Sequence, residues 1–261
     1  MLVRDTTASC AVLWILVVLT PVRSLAGPVI VLDPGHGGTN FGALGPETQV
    51  YEKRLTLTLA ERTASFLRQW IPTARIVLTR TRDEYLTLDQ RVQRANAARG
   101  DLFVSLHVNA SENRDRQGFE TFLLSREASE QEAARLAAAD RSSRPRSREH
   151  GGPVLQAILA DLQVSAAHGQ AAALAQSVQD ALARVRGAAR SRGVRQAPFD
   201  VLMGLRMPGV LVETGFIDHP VEGRELARRA VQEQLAAAIA GGIITHLERR
   251  QSKAKTALVG H

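Results

Sequence analysis

Three residues of this chain stand where a metal ion could be held. His36 lies in Asp33-Pro34-Gly35-His36-Gly37-Gly38, directly after the apolar run Val29-Ile30-Val31-Leu32. His107 closes a second apolar run, Leu102-Phe103-Val104-Ser105-Leu106, and Glu52 falls between the two in Tyr51-Glu52-Lys53. Two imidazoles and one carboxylate from separate segments are a usual ligand set for a catalytic zinc that keeps one position open for water. Zinc so held lowers the pKa of water to about 7, which makes hydroxide available at neutral pH. Hydrolysis of an amide further requires a group that takes the water proton and returns it to the leaving nitrogen. Glu213, at the end of Gly209-Val210-Leu211-Val212, is the candidate for both tasks, and its apolar neighbours are expected to raise its pKa. Asp33 is read as structural: in an Asp-Pro-Gly turn its carboxylate can cap local backbone N–H groups or orient a ligand histidine.

Each of these residues alone has a plainer explanation. A histidine in a turn after a strand more often packs or hydrogen-bonds than binds metal, and His150, His168, His219, His246 and His261 are read as surface or packing residues. Four acidic or imidazole groups at strand ends are harder to explain as packing, because buried charge is costly unless paired or metal-bound.

The elements that must position these groups alternate in type. Val29 to Leu32 reads as a central strand and Leu55 to Trp70 as a helix ended by Pro72. Arg75 to Thr79 reads as a strand, and Leu88 to Arg99 as a helix closed by Gly100. Leu102 to His107, Gly118 to Leu124 and Gly209 to Thr214 are further strands, and a helix is expected from about Arg224 to His246 with a frayed tail after it. The pattern implies an α/β fold: a single domain with a mostly parallel or mixed central sheet flanked by helices on both faces. Ligands in such sheets gather at the carboxyl ends of strands, where His36 and His107 fall. The Ala-rich stretch 129–186, broken between Arg141 and Pro153, reads as a helical insertion.

The N-terminus is of another kind. Arg4, the apolar run Ala11 to Leu19 and the small residues before Gly27 make a signal peptide over residues 1–26, leaving a catalytic domain over 27–248 and a tail over 249–261. Arg23, close to the cut after Ala26, keeps open the alternative of an uncleaved anchor; with the leader cleaved, no stable membrane span is expected. The single cysteine, Cys10, lies inside this leader, so the mature chain could form no internal disulfide. The net charge of +7 raises the question of nucleic acid, but the positive residues are scattered and aromatics are only 4%, too few for a stacking surface. An exported basic protein more simply suits an anionic cell envelope.

The ordered set Asp33-Pro34-Gly35-His36-Gly37-Gly38, Tyr51-Glu52-Lys53, Arg80-Thr81-Arg82-Asp83, Arg91 with Ala95-Asn96, Ser105-Leu106-His107-Val108-Asn109, Gly118-Phe119-Glu120-Thr121 and Val212-Glu213-Thr214-Gly215-Phe216 resembles the zinc-dependent N-acetylmuramoyl-L-alanine amidases of the Amidase_3 type. The resemblance implies hydrolysis of the amide between N-acetylmuramic acid and L-alanine in peptidoglycan. It implies one Zn2+ per chain on His36, Glu52 and His107, catalysis by Glu213, and a substrate contact from Asn109. Val108 stands where the family usually has alanine. The alternatives are a zinc peptidase acting within the stem peptide and a non-catalytic wall-binding regulator of the same fold.

Val154 to Leu162 and Ser191-Arg192-Gly193-Val194-Arg195-Gln196-Ala197 resemble the cell-separation amidases of Gram-negative bacteria. In that group a helix of the insertion blocks the zinc until an activator protein displaces it, and Glu149 is the nearest residue here to fill the open metal position. The resemblance thus implies an exported enzyme of cell-wall remodelling or daughter-cell separation, in the periplasm or alternatively extracellular or in the cell wall, with peptidoglycan and an activator as partners and no nucleic acid.

Overall fold

A computed structural model describes residues 27–125 and 154–259, so the leader and Glu149 lie outside the described residues. The strands are β1 (Val29–Pro34), β2 (Leu44–Gly45), β3 (Val50–Tyr51), β4 (Arg75–Leu78), β5 (Leu102–Asn109), β6 (Phe119–Leu124), β7 (Ser191–Ala197) and β8 (Gly209–Phe216). The helices are α1 (Glu52–Trp70), α2 (Leu88–Ala97), α3 (Val154–Arg186), α4 (Glu222–Leu226) and α5 (Arg229–Val259). Six strands form one mixed sheet in the order β4-β1-β5-β8-β6-β7, and β2 pairs with β3 in a small hairpin beside it. Strands β4, β1, β5 and β8 are mutually parallel, while β6 runs antiparallel to β8 and parallel to β7.

The apolar runs of β1, β5 and β8 are buried on both faces, as continuous hydrophobic strands in a covered sheet must be. One face packs Ile30, Leu32, Val104, Leu106, Val210 and Val212 against α1, α3 and α5. The other places Val31, Phe103, Phe122 and Leu211 against α2 and the segment from Phe199 to Met207. Side chains alternate between faces along a strand. Asp33, His107, Glu213 and Glu120 therefore share the side of Val31, Phe103, Leu211 and Phe122, and all four sit at one edge of the sheet.

The elements differ from the sequence reading at several points: α1 begins at Glu52 rather than Leu55, and β7 was not expected as a strand. Helix α2 is opened by a capping box between Thr87 and Gln90, but its left-handed C-terminal position is Arg99 (φ 51), not Gly100. Gly100 stands one residue further on, and a Cβ there would come within 2.8 Å of Val31 Cγ2. The described part of the expected insertion is the helix α3, and its second half buries Ala171, Leu174, Ala175, Val178, Ala181 and Leu182 in the main core. That half belongs to the layer covering the sheet. The expected C-terminal helix is divided into α4 and α5, and α5 continues through the expected tail to Val259. Between Leu247 and Val259 stand no Gly or Pro and mostly good helix formers, so nothing ends it earlier.

Candidate metal centre

The turn after β1 carries His36 in the left-handed region (φ 59), a backbone state that a histidine holds only when its surroundings fix it. They do so from three directions. Gly35 N–H continues the ladder to Leu106 O at 3.0 Å. Arg91 Nη2 donates to His36 O at 2.6 Å and its Nη1 to Pro34 O at 2.7 Å. Arg80, buried at 1% exposure, donates through Nε to Pro34 O and through Nη2 to Gly35 O and Lys53 O, which ties the turn to the first residues of α1.

Glu52 is the first residue of α1, and its carboxylate is directed back into the sheet edge. Its Oε2 accepts from Ala43 N at 3.0 Å and its Oε1 from Val108 N at 3.0 Å. The same Oε1 lies 3.0 Å from His36 Nε2 and 3.2 Å from His107 Nδ1. Burial by itself would raise this carboxyl's pKa, but the two imidazoles outweigh burial and hold it well below the usual carboxylate range. His36 Nδ1 pairs with Asn40 Oδ1 at 3.0 Å; with that nitrogen as the donor, Nε2 is left as a lone pair facing the centre.

The donor atoms of His36, Glu52 and His107 lie within 4.8 Å of one another, and this is the group with metal-ligand geometry among the described residues. The backbone around it is cut to fit. A Cβ on Gly35 would fall 2.4 Å from His107 Cε1, and one on Gly42 would fall 2.6 Å from Glu52 Oε2. Neither ligand could keep its place beside a larger residue. A depression lined by Gly35, His36, Asn40, Tyr85, Arg91 and His107 opens over the cluster and gives a ligand access. Two imidazoles and a carboxylate, close together, oriented from outside and open on one side, suit zinc.

Glu213 is 6% exposed, in register with His107 on β5 and with Glu120 on β6. It stands one strand from the cluster and outside the ligand group. Asn109, expected at the substrate, is buried at 3% exposure: its Nδ2 donates to Glu120 Oε1 at 2.9 Å and its Oδ1 accepts from Ala110 N. Asp33 does not cap local N–H groups. Its carboxylate accepts from Thr79, from Arg91 Nη1 at 2.8 Å and from Ser105 Oγ at 2.8 Å, and it acts on His36 through the arginine. Asn40 and the roles of Arg80 and Arg91 were not visible in the sequence; the only signal was the occurrence of both arginines in the family-like motifs. Of the other histidines, His219 Nδ1 accepts from Val221 and Glu222 at the start of α4, and His246 is buried in packing.

A mixed α/β sheet with two histidines and a carboxylate convergent at the strand ends, and a further glutamate one strand away, defines a metallohydrolase-type centre. The chain belongs to the N-acetylmuramoyl-L-alanine amidase family, whose model matches residues 30–245. It is 35% identical over 226 residues to the N-acetylmuramoyl-L-alanine amidase AmiA of Escherichia coli, covering 84% of this chain and 75% of the relative. With the amidase AmiC of Neisseria meningitidis it shares 31% identity over 222 residues, 83% of this chain and 52% of that one. The crystal structure of an N-acetylmuramoyl-L-alanine amidase from Clostridium difficile superposes with a TM-score of 0.65 at 27% identity, over 85% of this chain and 98% of the other.

Proposed function

We propose that this chain hydrolyses the amide between N-acetylmuramic acid and L-alanine in peptidoglycan, with His36, Glu52 and His107 holding one zinc ion and Glu213 moving the proton. The observation that carries the reading is the convergence of the three donor groups within 4.8 Å at the sheet edge, next to the strand that presents Glu213. A zinc ion there would supply Lewis acidity toward the scissile carbonyl and toward water. Glu52 holds its carboxylate ionised and its geometry fixed through Ala43 and Val108. Asn40 sets the nitrogen that His36 presents, and Arg91 with Asp33 fixes the backbone beneath it. Glu213 takes the proton from water and delivers it to the leaving amine of L-alanine. Asn109 serves by holding Glu120 rather than by touching substrate.

The setting follows from the same reading. The enzyme acts outside the cytoplasm, most simply in the periplasm, and among the described residues no helix is long and apolar enough to cross a membrane. The stretch 142–162, which includes Glu149 and the start of α3, controls access to the centre, and an activator protein relieves it during cell-wall remodelling or cell separation. Mass spectrometry of products from purified sacculi tests the reaction. Intact stem peptides with a free L-alanine amine are expected; stem peptides shortened from within, still attached to glycan, would make the chain a peptidase instead.

A further inference from the structure

Aromatic side chains make up only 4% of this chain, and the exposed ones are gathered in one place. Among the described residues seven large hydrophobic side chains are exposed, and four of them, Phe41, Leu44, Tyr51 and Tyr85, stand on the segments that surround the metal centre. Exposed hydrophobic residues scattered singly need no explanation, but a group beside a ligand-accessible depression does.

Phe41, 48% exposed, and Tyr51, 38% exposed, form the middle of this group, with ring centres 4.9 Å apart and planes inclined by 42°. The pair is held firmly. Lys53 Nζ lies 4.4 Å from the centre of the Phe41 ring, and that ammonium is itself fixed by Gly38 O at 2.8 Å and Asp83 Oδ2 at 2.7 Å. The Phe41 carbonyl accepts from Lys53 N at 3.2 Å, Gly42 N donates to Asn40 Oδ1 at 3.2 Å, and Ala43 N donates to Glu52 Oε2 at 3.0 Å. Phe41 directly follows Asn40, which orients His36, and Tyr51 directly precedes Glu52, so each starts about 3.8 Å along the chain from the ligand set. A ring that is exposed yet already fixed loses little freedom when something covers it, which leaves its area available for binding.

The chemistry of the substrate selects what covers it. On one side of the scissile amide L-alanine offers only a methyl group. On the other, one lactyl carbon and one ether oxygen join the carbonyl to the pyranose ring of N-acetylmuramic acid. A carbonyl placed over the metal centre therefore brings that ring to the rim, with its C–H faces as the flat apolar surface in reach. Such C–H groups carry partial positive charge and meet the negative face of an aromatic ring favourably.

The geometry points to Phe41 and Tyr51 as a stacking subsite for the pyranose ring of N-acetylmuramic acid, with Lys53 as a positioning residue. The inference rests on the amidase reading. It assigns the side of the metal centre next to the β2–β3 hairpin to the glycan.

The test compares two soluble substrates with the same peptide, one carrying N-acetylmuramic acid on L-alanine and the other only the lactyl group. The zinc-loaded wild type is expected to favour the muramyl substrate by about tenfold in kcat/KM. Phe41→Ala and Tyr51→Ala should bring that ratio toward one with one zinc per chain retained, while Phe41→Tyr and Tyr51→Phe should keep it. Equal hydrolysis of both substrates by the wild type, or a ratio kept in both alanine variants, would overturn the subsite and leave the amidase reading standing. Loss of zinc from the alanine variants would also overturn it, by making the rings supports of the metal centre, as would digestion of sacculi with neither soluble substrate cut. A wild type that frees L-alanyl peptides from none of the three would remove the amidase reading and the subsite with it.

Discussion

At the residue scale, the ligands depend on neighbours with no chemistry of their own. Gly35 is the clearest case, because a single methyl there would lie 2.4 Å from the His107 ring. Gly35→Ala is expected to weaken zinc binding by about 10–100-fold, as the loss of a residue supporting a ligand does; a competition titration with a chelating dye would measure it. Asp33 shows the same dependence one layer deeper. Burial alone would raise its pKa, but Arg91, Thr79 and Ser105 together hold it below the ordinary value. A carboxylate depressed in the folded state contributes its full stability above the unfolded pKa of about 3.9 and loses it as pH falls through the folded value. Urea midpoints taken from pH 7 down to pH 2 should therefore decline below pH ~4, and Asp33→Asn should flatten that decline. The same variant leaves Arg91 buried without its anion, which costs about 3–5 kcal/mol at neutral pH. The candidate ligand cluster was legible in the sequence because strand-end histidines and glutamate are rarely buried for packing alone. The second layer was not, since Asn40, Arg80 and Arg91 act through backbone carbonyls that only the folded turn brings to them.

At the scale of elements, β1, β4, β5, β6, β8 and α1 were legible because their apolar runs have strong contrast with what flanks them, whereas β7, Ser191–Ala197, carries two arginines, a glycine and a glutamine and has no such run. Helix α3 was not. Its buried stripe is largely alanine, and Ala171, Ala175 and Ala181 look no different in sequence from alanines facing solvent. The choice of small residues has a physical purpose where α3 meets α5. A Cβ on Gly242 would fall 2.7 Å from the Val178 backbone, while one on the adjacent Gly241 would meet nothing within 4 Å. Two neighbouring substitutions should thus act in opposite directions. Gly242→Ala is expected to destabilise by about 1–3 kcal/mol through overpacking. Gly241→Ala is expected to stabilise by up to about 1 kcal/mol through helix propensity. Chemical denaturation of the two variants checks both signs, and a gain at Gly242 would mean that the helices are not in such close contact.

At the scale of the whole molecule, the sheet gathers residues from positions 33 to 213 onto one edge. The sequence suggested an insertion over 129–186; the packing of α3 places residues from 171 onward in the core layer. The proposed access control is assigned to residues before that point. Deleting residues 142–162 removes the proposed block and spares the buried half of α3, so basal hydrolysis of sacculi should rise several-fold without activator. Unchanged hydrolysis by a folded, zinc-loaded deletion variant would locate the control elsewhere. The most direct test of the central claim is a paired assay of metal content and sacculus digestion on the wild type and Glu213→Ala. In the proposed mechanism three residues hold the metal and a fourth moves the proton, so the variant should retain one equivalent of zinc per chain and lose activity by about 10²–10⁴-fold. Wild-type activity in that variant would contradict the assignment.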